Sequence, residues 1–582
     1  MIKKLCLLLS LIMALSLLGA CSSSKPEENP SSSNSSISSE EPSSEPEDTA
    51  ETPSDEPSED WGEEDDEYGD FFEDDYFDEE YKYINKLYVY NDEKPITERY
   101  GGMSGTVYHA FGFMKDDNTG RVYTDKMMDI ELDRLQNTGM HYCRTRYHSE
   151  WAWDPVKENY NWNSKRFGYF CDYANALQDR NMEIILSVGW HFGFVTEITQ
   201  HSIDEVPYLR GDGDDKFGES TGYDLSGLSA EDARMTKSAR RFGYFYAETL
   251  KALRARGINN VSHLLYMTEP SNGYSGPEMG CENREYVLFS RAFKQKLVEM
   301  DNIAATVKHM GPNETSKTGD HLFKYVMDNA PEIFDVYTVH DYPHLTDTTN
   351  DVLYELYGTT LDSFVAHAKN GGVWGTEKEF WLDEYDINYD GKAGGQNNSW
   401  AGLQNVYGNL IAQQKGVETT VFWQLFDQLW TDHSNTGGEF FEGIHMCGDL
   451  PSLFITSIPY DQYYATGLFA KYNGYKNGKS YRTSLQDDSL MYEGVYIGAV
   501  QLEDGNWTIT IVNLNLEDAY IDVSFGKAIN QTLYRHVFDS GKNVPTPDAR
   551  LADADKCFKN VKNKIYDTIP GGSVTIYTGV KG

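Results

Sequence analysis

The sequence is poor in the residues and motifs that mark several large protein classes. It has seven cysteines in 582 residues, and two of them, Cys6 and Cys21, fall at the very start. Cys143, Cys171, Cys281, Cys447 and Cys557 are widely spaced, with no CxxC pair and no Cys/His cluster. That spacing excludes a zinc site of the usual kind and leaves buried free thiols as the expectation. Basic residues are also scarce, 50 Lys and Arg against 92 Asp and Glu. A net charge of −42 argues against a nucleic-acid partner. No GxGxxG follows an early strand, which counts against a doubly wound dinucleotide-binding sheet. No fixed sequence period is present, so a solenoid is excluded. Beyond residue 20 no apolar run is long enough to cross a membrane. The turn Asp212-Gly213-Asp214-Asp215 lacks the regular oxygen spacing of a calcium loop and reads as solvated. The expectation is no metal and no cofactor.

What is present begins with an export segment. Lys3 and Lys4 precede an apolar run over 5–18, and Leu18-Gly19-Ala20-Cys21 closes it. Residues 1–20 have the layout of a signal peptide. The small residues before Cys21 resemble the lipobox of bacterial lipoproteins. That resemblance implies cleavage before Cys21, a lipid on its sulfur, and an extracytoplasmic protein held to the bacterial cell membrane through that lipid alone. Residues 22–80 carry 24 acidic residues against one lysine, Lys25. Their net of −23 is more than half of the whole-chain charge. Such a stretch has too little apolar surface to offset its ordering entropy. The segment 21–80 is therefore expected to be a disordered acidic Ser/Glu/Pro linker.

From about residue 105 short apolar strands alternate with helical patterns. The expected strands are 109–113, 140–144, 183–188, 263–267, 303–308, 335–339, 380–383 and 419–425. Helices are expected near 165–179, 230–256, 282–300, 320–329, 351–369 and 399–415. Eight such units over 81–475 predict an α/β fold, a (β/α)8 TIM barrel. After residue 476 the pattern becomes period two, with turns at Asp504-Gly505 and Gly571-Gly572. Residues 476–582 are thus expected to form a small C-terminal antiparallel β-sandwich, to which 84–91 lends a strand.

In a parallel barrel the chemistry gathers at the carboxyl ends of the strands. There the sequence delivers Arg144, then Trp190 and His191, then Glu269 with Asn272, then His340 and Tyr342, then Glu384, then Trp423 and Trp430. Glu269 and Glu384 each end an apolar strand, the fourth and the seventh, which places them across the barrel mouth. Two carboxyl groups about 5–5.5 Å apart suit retaining glycoside hydrolysis, in which one attacks and the other gives and takes a proton. Rim aromatics stack on sugar rings, and Arg, His and Asn bind hydroxyls.

This constellation resembles the clan A glycoside hydrolases over roughly residues 105–475. The clan's acid/base tripeptide, usually Asn-Glu-Pro after strand four, is matched by Thr268-Glu269-Pro270. Its strand-seven motif is matched by Trp381-Leu382-Asp383-Glu384-Tyr385. The strand-six pattern is matched by His340-Asp341-Tyr342. The resemblance implies that Glu269 is acid/base and Glu384 nucleophile. It implies that Tyr342 and Arg144 support the nucleophile and that Trp423 floors the sugar site. Thr268 departs from the clan's Asn, which holds the sugar 2-hydroxyl. Either Asn272 or His191 takes over that contact, or the sugar differs at C2. Strand alternation predicts that Asp383 faces away from Glu384. One or two of Trp151, Trp153 and Trp430 are expected to touch sugar.

Two functions follow. The first is a monomeric, cell-surface retaining glycoside hydrolase that cleaves an extracellular glycan by double displacement. The second is a catalytically silent carbohydrate-binding barrel or a sugar-capturing lipoprotein. A late β-sandwich does not suit the two similar lobes of a transporter receptor.

Overall fold

The computed structural model describes residues 84–107, 125–188, 206–270, 283–300, 306–315, 321–342, 361–368, 377–386, 399–423, 459–473, 477–486 and 494–581. The export segment, Cys21 and the acidic linker lie outside the described residues. So do the strand expected at 109–113 and residues 303–305 of the one expected at 303–308.

Two strands come first, β1 (Ile84–Val89) and β2 (Thr97–Tyr100). The barrel follows with β3 (Gly102–Val107) and β4 (Tyr142–Tyr147). A two-stranded ribbon, β5 (Trp153–Asp154) with β6 (Asn159–Tyr160), interrupts it. The barrel continues with β7 (Glu183–Val188), β8 (Val261–Leu265), β9 (Lys308–Thr315), β10 (Val336–Asp341), β11 (Glu379–Tyr385) and β12 (Thr419–Phe422). These eight strands are parallel, and β12 pairs back onto β3 to close the cylinder. The (β/α)8 expectation is met.

The first strand lies upstream of the segment that looked most apolar. Its sequence, GMSGTV, is small rather than greasy. A Cβ on Gly105 would lie 3.0 Å from the Tyr142 Cβ, so bulk is excluded where β3 and β4 approach. The fifth strand also differs from expectation, running Lys308–Thr315, with a Gly311-Pro312 pair that reads as a turn in sequence.

Helices flank the strands. They are α1 (Asp125–Asn137), α2 (Lys165–Asp179), α3 (Ala230–Arg254), α4 (Asn283–Met300), α5 (His321–Asn329), α6 (Ser399–Lys415) and α7 (Asp461–Asn473). Residues 361–368 are helical as well. Local chemistry sets two of the starts: Ser164 caps α2 by accepting from the Phe167 amide, and Ser229 caps α3 by accepting from Asp232. The face of α2 with Phe167, Phe170, Tyr173, Ala174 and Leu177 is buried, as its 3.6-residue period requires. Inside the cylinder, Val107, Tyr142, Ile185, Leu265, Met310, Val336, Trp381, Val421 and Trp423 form a separate apolar core. The alternate residues of the same strands face the helices.

The remaining strands are β13 (Gly478–Tyr481), β14 (Val495–Gln501), β15 (Trp507–Asn513), β16 (Ala519–Phe525), β17 (Gln531–Asp539), β18 (Ala554–Val561), β19 (Lys564–Ile569) and β20 (Ser573–Thr578). They form a three-stranded sheet in the order β1-β16-β19 and a seven-stranded sheet in the order β18-β17-β20-β15-β14-β13-β2. A core that includes Leu87, Ile497, Ile509, Val523 and Ile565 lies between the two sheets, the expected sandwich. β1 joins it as anticipated, in parallel with β16, and β2 pairs with β13. Lys and Asp break the apolar alternation of β18 and β19.

The other face of the seven-stranded sheet packs on the barrel helices. Tyr496 stacks on Tyr407 of α6 at 3.9 Å, and Tyr472 of α7 stacks on His536 at 4.2 Å. Gln414 of α6 donates to the Tyr481 carbonyl and accepts from the Thr483 amide. Barrel and sandwich therefore share buried surface.

Candidate active site

Each side chain of the site projects from the carboxyl end of a barrel strand. Arg144 (β4), His340 (β10) and Glu384 (β11) point inward, Thr268 and Glu269 follow β8, and Tyr342 follows β10. Glu269 sits at φ 48°, a left-handed backbone that a non-glycine residue adopts only under constraint. The Asn313 carbonyl supplies that constraint by accepting from the Glu269 amide at 3.1 Å.

Two local irregularities shape the floor. Between β9 and β10 the register runs from Thr338–Pro312 to Val339–Glu314, so Asn313 is an extra residue, at φ 61°. Between β10 and β11 it runs from Val339–Leu382 to His340–Glu384, so Asp383 is extra. Each is a β-bulge, which re-aims the residues beyond it. As a result Asp383 and Glu384 both face the barrel interior. The expectation that Asp383 turns away is wrong, because the period-two rule fails across a bulge. Neither Asn313 nor Asp383 was singled out as a site residue from sequence. A Gly-Pro pair hid the strand that carries the first, and the assumption of an unbroken strand hid the orientation of the second.

The contacts are dense. Arg144 Nη1 donates to Glu384 Oε2 at 2.6 Å and to the Asp383 carbonyl at 3.0 Å, and Nη2 donates to the Thr268 hydroxyl at 3.2 Å. The Tyr342 hydroxyl donates to Glu384 Oε1 at 2.5 Å. His340 Nδ1 lies 2.9 Å from Glu269 Oε1. Its Nε2 lies 3.5 Å from Glu384 Oε2 and 3.6 Å from Asp383 Oδ1. Asn313 Nδ2 donates to Asp383 Oδ2 at 2.5 Å and lies 2.7 Å from His340 Nε2. Burial pulls the His340 pKa down, but the anionic Glu384 and Asp383 outweigh it and hold the imidazole up at about 9.

Single oxygens of Glu269 and Glu384 lie within 4.8 Å of each other, with a His340 nitrogen at the same range. Three such donors could hold a metal ion. However, Arg144 already places a guanidinium on Glu384, and His340 Nδ1 is taken by Glu269.

Of the expected site residues, the structure brings together Glu269, Glu384, Arg144, His340 and Tyr342. Trp423 belongs to the core inside the cylinder, and Tyr342 packs against that core. Trp190, His191, Asn272 and Trp430 lie outside the described residues. Trp151 and Trp153 are packed into aromatic clusters. Trp151 is buried among Tyr147, His148 and Phe170, and Trp153 among Tyr160 and Tyr208. The Asp212–Asp215 turn is solvated as expected, with Asp212, Gly213 and Asp214 exposed, while on its inner side the buried Arg241 donates to Asp215 Oδ1 at 3.0 Å and to the Asp212 and Gly213 carbonyls. A guanidinium stands where a cation would.

No protein-family model matches the sequence, and no curated protein matches it. Solved structures do match in fold. One is a glycoside hydrolase family 30 subfamily 8 xylanase from Clostridium acetobutylicum, at 12% identity and a TM-score of 0.53, covering 85% of this chain and 99% of that one. A second is an endo-β-1,6-glucanase, at 13% identity and a TM-score of 0.52, covering 86% and 95%. A third is a family 51 arabinofuranosidase from Xanthomonas axonopodis pv. citri, at 12% identity and a TM-score of 0.53, covering 85% and 100%. The shared architecture is a TIM barrel with an appended β-sandwich.

Proposed function

We propose that the chain is a retaining glycoside hydrolase acting on a glycan outside the cell. The observation that carries this reading is the approach of Glu269 and Glu384, whose oxygens come within 4.8 Å at one end of the barrel. That spacing suits a carboxylate attacking the sugar directly; inverting enzymes hold their pair about 6.5–9.5 Å apart to admit a water. The fold likeness to a xylanase, an endo-β-1,6-glucanase and an arabinofuranosidase points the same way.

The roles follow from the contacts. Glu384 is the nucleophile: Arg144 and Tyr342 hold both its oxygens, which fixes its aim. Glu269 is the acid/base. It gives a proton to the leaving oxygen as Glu384 bonds the anomeric carbon. It then takes one from the water that releases the sugar. The Thr268 hydroxyl accepts from Arg144 Nη2. Membrane attachment through Cys21 rests on the Leu18–Cys21 stretch alone. Among the described residues no helix is long and apolar enough to cross a bilayer.

The test is a screen of aryl glycosides and polysaccharides. Glu384→Gln should abolish release of product. Glu269→Ala should slow poor leaving groups most and be rescued by azide on an activated substrate. Full activity in both variants would refute the assignment. Absence of any product from the unmutated chain would favour a silent sugar-binding barrel. Cys21→Ala should move the protein from the membrane fraction to the medium, and continued sedimentation with membranes would remove the lipid anchor from the reading.

A further inference from the structure

A buried carboxylate with an unused oxygen is costly, and Asp383 is one. Its residue is fully buried, Oδ2 accepts from Asn313, and Oδ1 makes no hydrogen bond. A bulge turns it inward when regular pleating would have turned it out. Its unused Oδ1 lies 3.6 Å from His340 Nε2.

The groups facing His340 come from four neighbouring strands. β4 brings the cation Arg144, whose Nη1 is 3.2 Å from Nε2. The segment after β8 brings Glu269 to Nδ1. β9 brings the neutral amide of Asn313. β11 brings Asp383 and Glu384. The Tyr342 hydroxyl, just past the His340 strand, is turned to Glu384. Around Nε2 these groups oppose each other. Two donors, Arg144 and Asn313, suit a neutral ring that accepts there. Two carboxylates suit a charged ring. Arg144 pairs with Glu384 at 2.6 Å and with Asp383 at 3.7 Å, and of the two carboxylates Asp383 is the one that keeps an oxygen without a hydrogen bond, 3.6 Å from Nε2.

We infer that Asp383 is a positioning residue: through His340, which it keeps charged, it holds the acid/base Glu269 with Oε1 as acceptor and the transferable proton on Oε2. The Nδ1–H of His340 donates to Oε1 before and after that proton leaves. It therefore steadies the carboxylate that forms when Glu269 acts as acid. No bond to Asp383 is made or broken. Asn313 is the clamp that keeps the Asp383 carboxylate in the barrel, on the opposite side of the imidazole from Glu269.

The test uses the full chain and the isosteric change Asp383→Asn, with a circular dichroism melt to show that the variant folds. The first measurement needs no substrate. Nitrogen-15 spectra of histidine-labelled protein, assigned with His340→Gln, report the charge of the His340 ring. The unmutated ring should be charged at pH 7, and Asp383→Asn should lower its titration by about one pH unit or more. The second measurement rests on the hydrolase reading. The basic limb of kcat/KM against pH, set by the acid Glu269, should move up by about one unit in Asp383→Asn as the charge that steadies its carboxylate weakens. A neutral His340 in the unmutated protein at pH 7 would overturn the inference even if Asp383→Asn does not fold. So would a folded Asp383→Asn with unchanged His340 titration and unchanged pH profile. A silent enzyme with the expected histidine titration would instead refute the hydrolase reading alone.

Discussion

Tyr342 makes one hydrogen bond that a single atom removes. Its hydroxyl donates to Glu384 Oε1, and phenylalanine keeps the ring against the inner core. A hydrogen bond to a charged group is worth about 1.5–3 kcal/mol. Tyr342→Phe should therefore lower kcat by about 10–100-fold while the melting temperature stays close to that of the parent. Steady-state kinetics with an aryl glycoside read this directly, and an unchanged kcat would remove Tyr342 from the nucleophile's support. Arg144 is a different case. It touches Glu384, His340, Thr268 and the Asp383 backbone, so Arg144→Met strands several buried groups and should cost both activity and fold.

At the scale of elements, the close approach of α6 and α7 depends on Gly402. A Cβ there would meet the Gln462 Cα and the Ala465 Cβ, each at 2.9 Å. Backbone cannot step aside cheaply, so Gly402→Ala should destabilise by about 1–3 kcal/mol, measured by denaturant melts. A variant as stable as the parent would show that these helices slide freely. Helix and strand periods were legible wherever the elements were regular. β7 and α2 are found at their expected bounds, and the two glutamates were visible because each ends an apolar run. What stayed hidden sits at irregularities. Asn313 and Asp383 occupy bulges, and a bulge leaves no mark in a pattern read two residues at a time. β3 was missed because close packing against Tyr142 selects glycine where a strand pattern looks for bulk.

At the scale of the whole molecule, buried histidines set the response to acid. Burial first, with Lys308 nearby, pulls the His263 pKa down to about 3; burial and Lys294 pull His309 down to about 4. An unfolded histidine takes its proton near pH 6.5. Between 6.5 and about 3–4 the unfolded chain holds more protons, so stability falls as pH falls through that window. Each such proton is worth about 1.4 kcal/mol per pH unit. His340 acts in the opposite direction. Its raised pKa gives a contribution that is complete below 6.5 and lost as pH rises through about 9. The melting temperature should therefore peak near neutrality. His263→Phe should flatten the acid side, and an acid limb unchanged in that variant would show that His263 does not govern it.

The sandwich joins distant parts of the chain, and this bears on how the protein comes to be made. β1 takes its partner from residues 519–525 and β2 from residues 478–481, while β3 waits for β12 to close the cylinder. A polypeptide emerging from its amino end thus carries three strand edges with no mate until most of its length has followed. Folding is expected to be slow, since pairings so far apart in sequence must wait for long loops to close. The nascent chain needs shielding until late in synthesis.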